Sequence, residues 1–161
     1  MTRKEITEHL NHELEKHILN GKGNYWAKEV TFDYGKEGSC RVDYMLYKPV
    51  NQLSVDGLEK GIFICYEIKS CVEDFNSGHG LNFIGEQNYL VMMKDTYDTL
   101  KERKMLSKVS RNVGILVYDS GKFSAAKCSY KTYRTKSMVE MLFAMLRSRQ
   151  AENRKDNGND E

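Results

Sequence analysis

Several features that would narrow the reading are scarce or missing. One proline, Pro49, occurs in 161 residues, and it falls in a stretch, 48–60, that reads as a surface loop. No run of 18 apolar residues exists, which excludes a membrane-spanning helix. Residues 1–5, Met-Thr-Arg-Lys-Glu, lack the apolar centre of a secretory signal, so a cytoplasmic protein is expected. The four cysteines, Cys40, Cys65, Cys71 and Cys128, form no Cys-x-x-Cys or His–Cys spacing, which argues against zinc. Cys65 lies inside an apolar run and reads as a small core residue. There is no internal repeat.

Net charge is also small, at +2, but it is unevenly spread. Residues 101–136 carry ten basic residues against two acids, Glu102 and Asp119, while residues 151–161 carry four acids against two bases. The basic segment suits either an anionic polymer or an ordinary solvated face. The polar tail, 151–161, is expected to be disordered. One domain spans 1–150, and with 40% hydrophobic residues it can build a core.

Along the chain, Thr2 and Glu5 form a capping box, and Ile6, Leu10, Leu14 and Ile18 recur at helical spacing to make the apolar stripe of a first helix ending at Gly21. His9, Glu13 and His17 form a second stripe at four-residue intervals. That spacing is not a zinc pattern, and an exposed polar stripe explains it. Residues 25–34 and 40–47 read as an antiparallel hairpin across the turn 35–39. Residues 61–70 read as a strand buried on both faces. A helix is expected over 71–83, broken near Ser77-Gly78-His79-Gly80, then a strand over 88–93, a helix over 95–105 and a strand over 112–118. A final amphipathic helix is expected over 135–150, with Met138, Met141, Leu142, Met145 and Leu146 on its apolar face. Antiparallel strands first and crossover helices later predict an α/β fold, a mixed sheet with helices on both faces.

Charges stand where core strands should carry none. By alternation, Phe63, Cys65, Glu67 and Lys69 share one face of the third strand, and Ile62, Ile64, Tyr66 and Ile68 share the other. Arg41, Asp43, Met45 and Tyr47 share a face of the second. If those strands pair, Asp43 lies beside Glu67. Two neighbouring carboxylates repel, and burial raises at least one pKa. A divalent cation with a preference for hard oxygen ligands, Mg²⁺ or Mn²⁺, relieves the repulsion. With a lysine beside it, such a pair can hydrolyse a phosphodiester. Salt bridges of Asp43 or Glu67 with Lys69 or Arg41 at a sheet edge are the bland alternative.

Arg41-Val42-Asp43 followed by Ile64-Cys65-Tyr66-Glu67-Ile68-Lys69 resembles the Asp…Glu-x-Lys signature of the PD-(D/E)xK nuclease superfamily, with Val42 where proline often stands. Asp74-Phe75, the strand from Asn88 and Gly114-Ile-Leu-Val resemble a bacterial and phage DNA-repair branch of it. The resemblance implies a restriction-endonuclease-like mixed sheet with an α-β-β-β-α-β core. It implies that Asp43, Glu67 and the Ile68 carbonyl hold Mg²⁺ or Mn²⁺ and that Lys69 orients the attacking water. Many members add a glutamate from the first helix, for which Glu13 is the candidate. DNA is the implied partner, and Lys122, Lys127, Tyr130, Lys131, Tyr133, Arg134 and Lys136 are the expected contacts, since cations neutralise phosphates and rings stack on bases. The last helix is core packing or a homodimer face. His79 and Asn82 follow the third strand and can approach a phosphate, although a turn role suits His79 better. Gln87 precedes a strand and is not assigned to the site. The implied activity is a metal-dependent DNA endonuclease or exonuclease in repair, recombination or phage DNA processing. The alternatives are a catalytically silent nuclease-fold module that binds DNA or protein, for example in anti-defence, and an interaction protein whose acids are salt-bridged.

Overall fold

Thr2 caps the first helix reciprocally. Its hydroxyl accepts from the Glu5 amide at 3.3 Å, and the Glu5 carboxylate accepts from the Thr2 amide at 2.7 Å. Helix α1 (Arg3–Leu14) continues into a π-helical turn, Glu15–Leu19, which widens the coil and shifts the phase of the residues after it. Residues 1–157 are described in this computed structural model.

Six strands follow: β1 (Tyr25–Phe32), β2 (Cys40–Lys48), β3 (Ile62–Ile68), β4 (Gln87–Met93), β5 (Gly114–Asp119) and β6 (Lys122–Lys127). They lie side by side in chain order in one mixed sheet. The β1/β2, β2/β3 and β5/β6 pairs are antiparallel, and β3/β4 and β4/β5 are parallel. Each parallel step needs a crossover. Two steps in the same direction with the same handedness put both crossovers on one face. Those crossovers carry α3 (Val72–Asn76) and α4 (Lys94–Glu102). The closing helix α5 (Met138–Asn157) lies over β1 to β3. The mixed α/β architecture expected from the sequence is the one observed.

Both faces of β3 are covered, as its apolar run requires. Ile64, Tyr66 and Ile68 pack against Leu10, Leu14 and Leu19 of the first helical segment. Those three leucines are fully buried and stabilise by about 1.5–3 kcal/mol each. Phe63 and Cys65 pack on the other face against Met141, Ala144 and Met145 of α5. Beyond β3 the same face continues through Leu90, Met92 and Val117 to Phe75 and Leu100.

The alternation expected for β2 is interrupted. Val42 and Met45 both pack in the α5-side cluster, although they are three residues apart. Opposite this point Glu29 adopts φ +52°, a left-handed conformation inside a strand. Ala27 and Val30 therefore also face the same side.

Other boundaries differ from the sequence reading. Loop 48–60 contains a short helix, α2 (Val55–Glu59), capped by the Ser54 hydroxyl at 3.1 Å from the Gly57 amide. The helix expected over 71–83 stops at Asn76, and the chain then turns through Gly78 and Gly80, at φ +69° and +71°. Ahead of it the Ser70 hydroxyl and amide bind the Asp74 carboxylate at 3.0 and 3.1 Å. A short 3₁₀ turn, Met105–Lys108, follows α4. The basic segment contributes edge strand β6, and α5 starts later than expected and continues through residues 151–157, which were read as tail. The rest of that tail, 158–161, lies outside the described residues. No helix among the described residues is long and apolar enough to cross a membrane.

Candidate active site

The β2/β3 ladder runs from Lys48 opposite Ile62 to Tyr44 opposite Tyr66. Asp43 and Glu67 are the next residues along, beyond the last ladder pair; they share one cavity wall, and the Asp43 charge and main chain both act on the Glu67 carboxylate. Asp43 Oδ2 accepts from the Ile68 amide at 2.9 Å, so the carboxylate replaces a missing ladder partner and is fixed by it. Lys69 Nζ lies 3.5 Å from Glu67 Oε1 and donates to the His79 carbonyl at 2.5 Å. Glu67 is 7% exposed and Lys69 2%, so both charges are held out of water.

Such burial has electrostatic consequences. Desolvation, with the Asp43 charge second, pushes Glu67 from its ordinary 4.5 up to about 8, against the pull of Lys69. Burial also raises Asp43, opposed by the Ile68 amide and the Lys69 and Arg41 charges. Both acids move the same way, and for each of them burial is the largest cause. Asp43, Glu67, Ile68 and Lys69 line one cavity of about 870 Å³.

The donor chemistry fits a hard divalent cation. Two carboxylates from neighbouring strands line one cavity wall together with Ile68, whose amide binds Asp43. The protein set is small: among the described residues no group of three or more His, Cys, Asp and Glu side chains is arranged to hold a metal ion. Mg²⁺ in particular keeps several waters and is satisfied with one or two carboxylates.

Glu13 does not join this set. Its carboxylate accepts from the Tyr118 hydroxyl at 2.7 Å and faces His17 at 3.1 Å, and it is absent from the cavity wall. The first helical segment instead presents Glu8 and Glu15 to the cavity, with Glu15 accepting from the Tyr44 hydroxyl at 2.7 Å. Helical spacing alone leaves the rotational phase of that helix open, which is why Glu13 stood out from sequence. His79 and Asn82 do line the cavity. Gln87 does not, since it pairs with Ile64 towards the other end of β3.

The expected DNA-contact segment divides in two. Lys122, Tyr130, Lys131 and Tyr133 are exposed, Tyr133 almost completely. Arg134 is instead paired with buried Glu86 and stacked over Phe63. Lys136 bridges Asp33 at 3.0 Å and Glu140 at 3.1 Å above the Phe32 ring. Lys127 donates to the Ser110 carbonyl at 2.7 Å. For Arg134 and Lys136 the primary contacts are internal, and none of the seven residues lines the cavity. Gly80 was missed as a site residue. A Cβ there would fall 1.5 Å from Glu67 Oε1, so only glycine lets that loop sit against the acid. The Gly-His-Gly run was its sequence signal.

No protein-family model matches the sequence, and no curated protein matches it at a significant level. The fold is similar to that of a solved protein of unknown function from Silicibacter pomeroyi. The TM-score is 0.60 at 17% identity, over 94% of this chain and 89% of that one. Identity that low speaks to the fold alone.

Proposed function

We propose that the chain is a metal-dependent nuclease that hydrolyses phosphodiester bonds in DNA. The observation that carries this reading is that Asp43 and Glu67 share one cavity wall just beyond the end of the β2/β3 ladder, with buried Lys69 3.5 Å from Glu67. A structural salt bridge needs one acid and one base, and it sits comfortably when it lowers the acid's pKa. Here burial and a second acid overwhelm the lysine, and Glu67 rises to about 8. A carboxylate held protonated by burial beside a second carboxylate can exchange its proton for a cation.

Asp43 and Glu67, with the Ile68 carbonyl, would hold Mg²⁺ or Mn²⁺. When bound, the ion would polarise a phosphoryl oxygen and acidify a water. Asp43 is oriented for this by the Ile68 amide, which fixes Oδ2 and leaves Oδ1 available. Lys69 would hold the attacking water or a phosphate oxygen with its ammonium, whose burial strengthens the interaction. Exposed Lys122, Tyr130, Lys131 and Tyr133 would meet DNA away from the cleavage point.

The test is incubation with supercoiled, linear, single-stranded and branched DNA in Mg²⁺ and in Mn²⁺. Cleavage that Glu67→Gln and Lys69→Met both remove, with DNA binding kept, supports the reading. A second reading is favoured by one observation: the Lys69 ammonium is already taken by Glu67 and the His79 carbonyl. In that reading the chain is a silent nuclease-fold module, and it binds DNA with strong salt dependence but cuts nothing.

A further inference from the structure

We propose that the loop over residues 77–82 is a cover on the Asp43, Glu67 and Lys69 site, and that its His79 carbonyl occupies the place of the oxygen Lys69 would hold during reaction. The inference rests on reading those three residues as a site, and it adds a closed resting state to it. Three contacts build the cover. The His79 carbonyl accepts from Lys69 Nζ at 2.5 Å, so a main-chain oxygen takes the ammonium proton a water or phosphate oxygen would take. Gly80 lies directly on the Glu67 carboxylate, where a Cβ would come within 1.5 Å of Oε1. Asn82 ties the far end of the loop down by donating Nδ2 to the Arg41 carbonyl at 3.1 Å.

The loop is built to lift. Gly78 and Gly80 flank His79 in left-handed conformations, and Ser77, Gly78 and His79 are exposed on the outer side. Apart from these contacts it has no regular secondary structure, which places it at the low-stability end of local opening. Beneath it Lys69 is 2% exposed. The ammonium has three donors, of which Glu67 and the His79 carbonyl take two, and the covering loop keeps an incoming oxygen from the third until it lifts.

The test is the rate of reductive methylation of each lysine, read by mass spectrometry with no metal or DNA present. In the wild type Lys69 is expected to be the slowest lysine to react. Gly80→Ala cannot seat its methyl group on Glu67, and it should raise the Lys69 rate about tenfold or more by favouring the open loop. Asn82→Ala removes only the tether, and it should raise the rate by a smaller factor without the steric conflict. Circular dichroism and thermal unfolding identify which variants remain folded. Unchanged Lys69 reactivity in folded Asn82→Ala and Gly80→Ala overturns the cover. If Lys69 is released but Mg²⁺ and DNA still give no cleavage, the nuclease reading fails while the cover stands. If the wild type cuts DNA and both variants leave Lys69 protected, the reverse holds.

Discussion

Two buried glutamates flank opposite ends of β3, and they are treated very differently. Glu86, 6% exposed, accepts from the Phe63 amide through Oε2 at 2.8 Å and pairs with Arg134 through Oε1. Its own carbonyl accepts from the Thr132 amide at 2.8 Å. Both carboxylate oxygens and the carbonyl have partners, and Thr132 and Arg134 among them anchor the stretch of chain that leads from β6 back to α5. Glu67, 7% exposed, faces Asp43, shares one lysine with a loop carbonyl and is driven to about 8. Burial of an acid is therefore no sign of function by itself. The sign is burial without enough compensating charge, beside a cavity.

The contrast can be broken most forcefully at the satisfied end. Arg134→Met leaves the Glu86 carboxylate buried without its cation, and it should cost roughly 3 kcal/mol in urea denaturation. That is the low end for breaking a buried pair, because the Arg134 side chain is 27% exposed. The same substitution should change DNA cleavage only as far as it unfolds the protein. Preserved stability would mean that Glu86 is no anchor.

At the other end the expected sign is reversed. Between the ordinary 4.5 and about 8, native Glu67 holds a proton that the unfolded chain has lost. Stability should fall as pH rises through that window, by at most about 1.4 kcal/mol per pH unit, and level off above it. Glu67→Gln should flatten the fall and be more stable than the wild type near the top of the window. Denaturant midpoints measured across the range check this, and an unchanged slope in the variant would remove Glu67 as its source. The smallest effect is expected at Glu13. Glu13→Gln should leave cleavage within about twofold, since that carboxylate serves Tyr118 and lies outside the cavity. A large loss of cleavage with the fold intact would return Glu13 to the site.

Much of this was legible in the sequence. β1 to β5 announce themselves through β-branched and aromatic runs, and alternation in β3 places Glu67 and Lys69 on the face away from Ile68, as observed. β6, Lys-Phe-Ser-Ala-Ala-Lys, carries no such pattern because it is an edge strand with mostly exposed side chains. Residues 151–157 lack the apolar repeat that marks a helix, yet their Ala, Glu, Arg and Lys favour one, and Glu152 is tied to Lys28 at 2.7 Å. Lys136 has a local partner in Glu140, but the other partners of Arg134 and Lys136 lie 48 and 103 residues away, at Glu86 and Asp33. No local pattern announces contacts at that separation. The approach of Asp43 to Glu67 depended on a register that one slipped residue would have undone; the ladder stops one pair short of them, and the two acids meet across a shared cavity wall.

The most direct test of the central claim is Mg²⁺-dependent nicking of supercoiled DNA by the wild type and by Glu67→Gln. The wild type should nick, and the variant should lose at least about 10²-fold of that activity while staying folded and still binding DNA. Equal nicking by the two proteins would contradict it, and so would no nicking either by the wild type or by folded Asn82→Ala with its loop opened.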